Sequence, residues 1–115
     1  MSGSVERKER CQLSLDILAQ DCYEASKSKG FWDQERNFGE AIALMHSELS
    51  ESLEGFRKNS QDDHLPQYPM WQVELGDCLI RILDLCGGMQ VPIGQIVDEK
   101  LAYNASRPYK HGKSF

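Results

Sequence analysis

The chain lacks any long apolar run. No stretch approaches the ~20 residues needed to cross a bilayer, and the opening Met1-Ser2-Gly3-Ser4-Val5-Glu6 carries no hydrophobic core of an export signal. A cytoplasmic location is therefore the expectation. Cysteine is scarce, and Cys11, Cys22, Cys78 and Cys86 form neither a CxxC nor a zinc-type spacing. A disulfide scaffold and a structural zinc site are thereby excluded. Cys78 and Cys86, eight apart, read as small apolar packing residues. Basic charge is in deficit, with 13 Lys and Arg against 18 Asp and Glu, a net charge of −5 and a pI near 5.1. Non-specific binding to nucleic acid is not expected of such a surface. Strand-like alternation, internal repeats and low-complexity segments are also missing.

What remains is helical periodicity in a chain of 115 residues, enough for one domain (1–115) with one core. Ser4 can cap a first helix to about Lys29, with Leu13, Ile17, Leu18, Cys22 and Ala25 as its apolar face and Gly30 ending it. Asn37-Phe38-Gly39-Glu40 has the form of a capping box opening a second helix to about Lys58. Its stripe reads Phe38, Ala41, Ile42, Met45, Leu49, Leu53 and Phe56. A polar loop holding Pro66 follows. Pro69 suits the first turn of a third helix ending at Gly87-Gly88, and Pro92 that of a fourth fading near Pro108. The tail Pro108 to Phe115 reads as basic and irregular. The expected fold is an all-α, four-helix bundle.

Two acid pairs stand out. Glu48 and Glu51 on the second helix, and Glu74 and Asp77 on the third, are each spaced i, i+3, so each pair shares a helix face. At about 100° per residue, Glu48 falls at the edge of its apolar stripe. On the third helix Trp71, Leu75, Cys78, Leu79, Ile82, Leu85 and Cys86 form one stripe, and Val73 and Ile80 a second patch. Glu74, Asp77, Arg81 and Asp84 lie between them. A helix apolar on two sides is covered on both, which puts these acids in a groove. Converging carboxylates repel unless a cation sits among them, and their oxygens suit Mg²⁺, with Mn²⁺ as a substitute. The plainer alternative is a solvated acidic face with Arg81 pairing Asp77 at i, i+4. On the fourth helix Lys100, Asn104 and Arg107 share the face of Ile93 and Ile96, a row able to clamp phosphate oxygens. The alternative there is a fraying helix end whose basic groups complement its dipole.

Glu48-x-x-Glu51, a 22-residue gap, Glu74-x-x-Asp77 and a closing Lys100-x-x-x-Asn104-x-x-Arg107 together resemble the MazG-type all-α nucleoside triphosphate pyrophosphohydrolases. The resemblance spans about residues 13 to 110. It implies Mg²⁺-dependent hydrolysis of a (deoxy)nucleoside triphosphate to monophosphate and pyrophosphate, as nucleotide-pool house-cleaning. It also implies a homodimer or homotetramer whose subunits complete one another's sites. On that reading Glu48, Glu51, Glu74 and Asp77 hold metal, Glu48 or Glu51 activates water, and Lys100, Asn104 and Arg107 bind substrate. Trp32 can stack on the base, or else anchor its turn onto the bundle. Some relatives that select one base carry a second tryptophan late in the Glu-bearing helix. Here that region reads Phe56-Arg57-Lys58, so no base preference follows. His46, about 160° from Glu48, does not join the metal set.

Two other classes compete. A di-iron bundle wants Glu-x-x-His pairs, and neither acid pair has a histidine at i+3. A non-catalytic helical module that binds a nucleotide or a protein is the main rival, and all four acids speak for catalysis.

Overall fold

A computed structural model describes residues 3–112, and it is all-helical. Helix α1 runs as an α-helical stretch Gly3–Cys11, a π-helical turn Gln12–Asp16, and a second α-helical stretch Ile17–Ser28. Helices α2 (Phe38–Lys58), α3 (Met70–Gly88) and α4 (Ile93–Ala105) follow, then a short 3-10 turn over Tyr109–Gly112. The described residues contain no strand. The last three residues of the basic tail lie outside the described residues. Ser4 lies inside α1 and does not precede it. No helix among the described residues is long and apolar enough to cross a membrane.

Local chemistry sets the helix ends. Asn37 accepts the Glu40 N–H at 2.9 Å and caps α2. At the end of α1, Gly30 takes a positive φ of 91°, with its N–H on Lys27 O and the Phe31 N–H on Ser26 O. That pair of bonds is a Schellman closure, and glycine adopts its left-handed corner without penalty. Asn59 and Gln90 do the same for α2 and α3. Gly87 and Gly88 close α3 as expected, although Gln90 makes the left-handed corner. They allow close approach: a methyl on Gly87 would strike the Ala19 carbonyl and Tyr23, and one on Gly88 the Trp32 ring. Helix α4 begins after Pro92, which offers no side-chain cap. Asp16, in the π turn, supplies one by accepting the Gly94 N–H at 2.8 Å, and Arg7 bonds Asp98 at 2.9 Å to hold the same two helices together.

Helix α3 lies between α2 and the Ile17–Ser28 stretch of α1, while α4 packs on the Gly3–Asp16 part of α1. The buried cluster is small: Ala19, Leu83 and Cys86, flanked by Leu15, Cys22, Ile82, Val91 and Ile93. Leu13, Ile17 and Leu18 on α1, Phe38, Leu49, Leu53 and Phe56 on α2, and Leu75, Leu79 and Ile80 on α3 are exposed. Most of the expected stripes of α1 and α2 thus face outward, whereas on α3 Cys78, Leu85 and Cys86 are buried, Trp71 and Ile82 half-buried, and only Leu75 and Leu79 of the stripe are exposed. The physical reason is that these helices meet through small and polar residues. On α2 the buried positions are Ala41, Glu48, Ser52 and Gly55. Ser52 donates to the Trp71 carbonyl at 2.8 Å, and Met70 lies against Gly55. The radius of gyration is 16.7 Å, against about 13 Å for a compact domain of this length.

Candidate metal centre

The seam between α2 and α3 carries the acids. Oxygens of Glu48, Glu74 and Asp77 all lie within 4.8 Å of one another. The i, i+3 spacing on α3 aims Glu74 and Asp77 the same way, and α2 presents Glu48 opposite them. Glu48 is 8% exposed, and Glu74 and Asp77 are half-buried. Glu51, one turn on, is exposed and stands outside that triad, although it lies close enough to Glu74 to share its proton.

Crowding of like charge shows in the protonation. Glu74 is pushed up to about 8, first by its hydrogen bond with Glu48, then by burial, then by Glu51. Asp77 is raised by burial and by the Glu48 and Asp62 charges, against the pull of Arg81. Burial also acts to raise Glu48, but the proton held by Glu74 and the guanidinium of Arg81 outweigh it and keep this carboxylate below its ordinary range. Arg81 Nε donates to Glu48 Oε1 at 2.9 Å. Arg81 therefore crosses to the neighbouring helix, and the i, i+4 pairing with Asp77 does not form.

Of the three acids only Glu48 is bonded by an arginine, so negative charge is in surplus. Glu74 Oε2 is buried and meets no N–H or hydroxyl donor among the described residues, so it depends on the proton shared with Glu48 and Glu51 or on a cation in its place. Hard oxygen donors in this number suit a divalent ion. Oxygens on opposite sides of Ca²⁺ stand about 5 Å apart and those on Mg²⁺ about 4.2 Å apart, so the donor chemistry suits a divalent ion, and a triad spread over 4.8 Å would draw inward to close on the smaller one.

A cavity of about 730 Å³ opens beside two of these acids, lined by Glu48, Asp77 and Arg81 together with Phe31, Arg36 and His64, while Glu74 and Glu51 lie outside its lining. Sequence reading missed the last three. His64 arrives through a rigid turn in which buried Asp62 accepts the N–H groups of His64 and Leu65 at 2.9 and 2.8 Å. Arg36 bonds Asp84 at 2.8 Å. An Asp-Asp-His run within a polar loop is the one signal that pointed toward His64.

The four expected substrate contacts fall elsewhere. Trp32 donates Nε1–H to Asp84 at 2.8 Å, its ring lies 5.0 Å from the Arg36 guanidinium, and Tyr23 meets it edge-on at 5.2 Å. It anchors the turn, and its ring is taken up by protein. Lys100 and Asn104 sit on α4, which packs against the far end of α1, and Arg107 follows just past its end; none of the three lines this cavity. Lys100 and Arg107 rest over the Tyr103 ring at 4.7 and 5.7 Å, and Asn104 Oδ1 is buried with no partner among the described residues. A divided site of acids and basic row thus does not form within one chain.

No protein-family model, curated protein or solved structure matches this chain. The site is therefore read from its own geometry.

Proposed function

We propose that the protein is a pyrophosphohydrolase that converts a (deoxy)nucleoside triphosphate to its monophosphate and pyrophosphate in the presence of Mg²⁺. The observation that carries this reading is the convergence of Glu48, Glu74 and Asp77 around a surplus of negative charge, with one oxygen that meets no N–H or hydroxyl donor among the described residues. Those three carboxylates would hold the ion, and Mn²⁺ would substitute for it. When bound, the divalent ion offsets phosphate charge and makes attack by water easier.

The chain's own groups supply the rest. Arg81 and Arg36 line the cavity, and their guanidinium forks suit phosphate oxygens. Glu48 is engaged by Arg81 and Glu74, which leaves exposed Glu51 as the base that takes the water's proton. The water oxygen bonds to phosphorus at the α–β junction, the bridging P–O bond breaks, and pyrophosphate leaves with that electron pair. MazG-type relationship, suggested by motif order, agrees with this chemistry.

Self-association belongs to the same proposal. The uncovered stripes Leu49, Leu53, Phe56 and Leu75, Leu79, and the extended radius of gyration, support a homodimer or homotetramer. A second copy would also be the source of Lys100, Asn104 and Arg107 at the acid seam. Incubation with each deoxynucleoside triphosphate and Mg²⁺ is expected to release pyrophosphate. Binding without release would instead support a non-catalytic nucleotide module. Sedimentation is expected to show more than one copy per particle, and Leu53→Glu to shift it toward the monomer.

A further inference from the structure

The aromatic beside the acids is Phe31, not Trp32. Phe31 is 66% exposed, yet it is not on a loose loop. Its own N–H closes the Schellman motif on Ser26 O at 3.2 Å, and the residue before it is locked at a positive φ. The residue after it is pinned by Asp84, Arg36 and Tyr23. An apolar residue whose backbone is fixed between two held neighbours gives up backbone freedom while its ring gains no burial.

The ring borders the cavity that contains Glu48, Asp77 and Arg81. From α1 the same cavity is walled by Cys22 and Ala25, both small, with Asp21 and Ser26 adding polar groups. A flat aromatic face, small apolar neighbours and polar groups near them match a heterocyclic base, which has a π-face and a hydrogen-bonding edge. Resting on the nucleotide chemistry proposed above, we infer that Phe31 is the base-stacking residue, holding the nucleobase in this slot while the triphosphate runs toward the acid seam. Stacking on a single ring tolerates every base, so the slot supplies affinity before selectivity.

Titration calorimetry with non-hydrolysable α,β-imido deoxynucleotides in Mg²⁺, and with inorganic tripolyphosphate as the base-free probe, tests this. Phe31→Ala is expected to weaken nucleotide binding about 10-fold, the scale of one lost stack, and to leave tripolyphosphate binding unchanged. Phe31→Trp is expected to restore nucleotide affinity. Wild-type nucleotide affinity in Phe31→Ala overturns the slot alone, and so does an equal loss of both probes. A wild-type chain that binds neither probe overturns the nucleotide reading and the slot with it.

Discussion

Helix α3 carries two buried or half-buried acidic sites, one met by Arg36 from the turn before α2 and one beside the helix's own Arg81, and they could hardly differ more. Asp84 is 7% exposed, and its oxygens are met separately, one by Trp32 Nε1 and the other by Arg36. Two turns earlier the Glu74–Asp77 pair faces Glu48, and the one arginine there bonds Glu48 alone. At Asp84 charge and hydrogen bonds balance, and the cluster holds Trp32 and its turn in place. At the acid seam they do not balance, and a proton has to be retained on Glu74 well above the ordinary range. A buried carboxylate alone is thus no sign of chemistry; the sign is a buried carboxylate with more neighbours of its own charge than the protein neutralises.

Substitutions can break or sharpen that contrast. The largest effect is expected at the seam: Glu48→Gln should abolish Mg²⁺-dependent pyrophosphate release while circular dichroism and melting stay close to wild type, because it relieves repulsion. Wild-type turnover in that variant would remove Glu48 from the site. At the balanced site the outcome should invert. Asp84→Ala strands the Arg36 charge and should cost about 3–5 kcal/mol in urea unfolding; a loss under about 1 kcal/mol would make the cluster ornamental.

A pH series should separate the two sites next. Between the ordinary carboxylate value and about 8, folded Glu74 keeps a proton that the unfolded chain has released. Stability of the metal-free protein should therefore fall as pH rises through that window, with Asp77 acting in the same direction. Glu48, depressed, works oppositely, and its contribution is lost only as pH falls below the ordinary range. Thermal melts with and without Mg²⁺ check this: the ion should flatten the decline, and a melting temperature indifferent to both would contradict the crowding. The smallest effect is expected from Arg81→Met, whose side chain is 37% exposed. It should change unfolding free energy by about 1 kcal/mol or less, yet raise the pH at which Glu48 ionises, measurable by NMR titration.

Much of this fold is legible in the order of residues. Helix number, the Asn37 cap and the Gly30 stop follow from local chemistry that needs no partner. The acid pairs are legible too, because i, i+3 spacing fixes a shared face whatever the helix packs on. The sense of the apolar stripes is not. Periodicity locates Leu49, Leu53 and Phe56 on one side of α2, but cannot say whether that side turns toward this chain's own centre or away from it. The contacts that settle it are tertiary and local to small residues such as Gly55, Ser52 and Gly87. Long-range polar pairings were equally hidden. Nothing near Asp16 announces that it caps a helix 78 positions later, and nothing near Arg81 favours Glu48 over Asp77.

The fit of Trp32 against Gly88 has a consequence for how the sequence can change. The indole occupies the volume where a side chain at position 88 would stand, so those two sites, far apart in the chain, are tied by size. Enlarging one without shrinking the other would lever the 31–36 turn away from α3 and release Arg36 from Asp84. Drift at either position is therefore tolerable only in compensated steps, which makes them a covarying pair in any lineage that keeps this architecture.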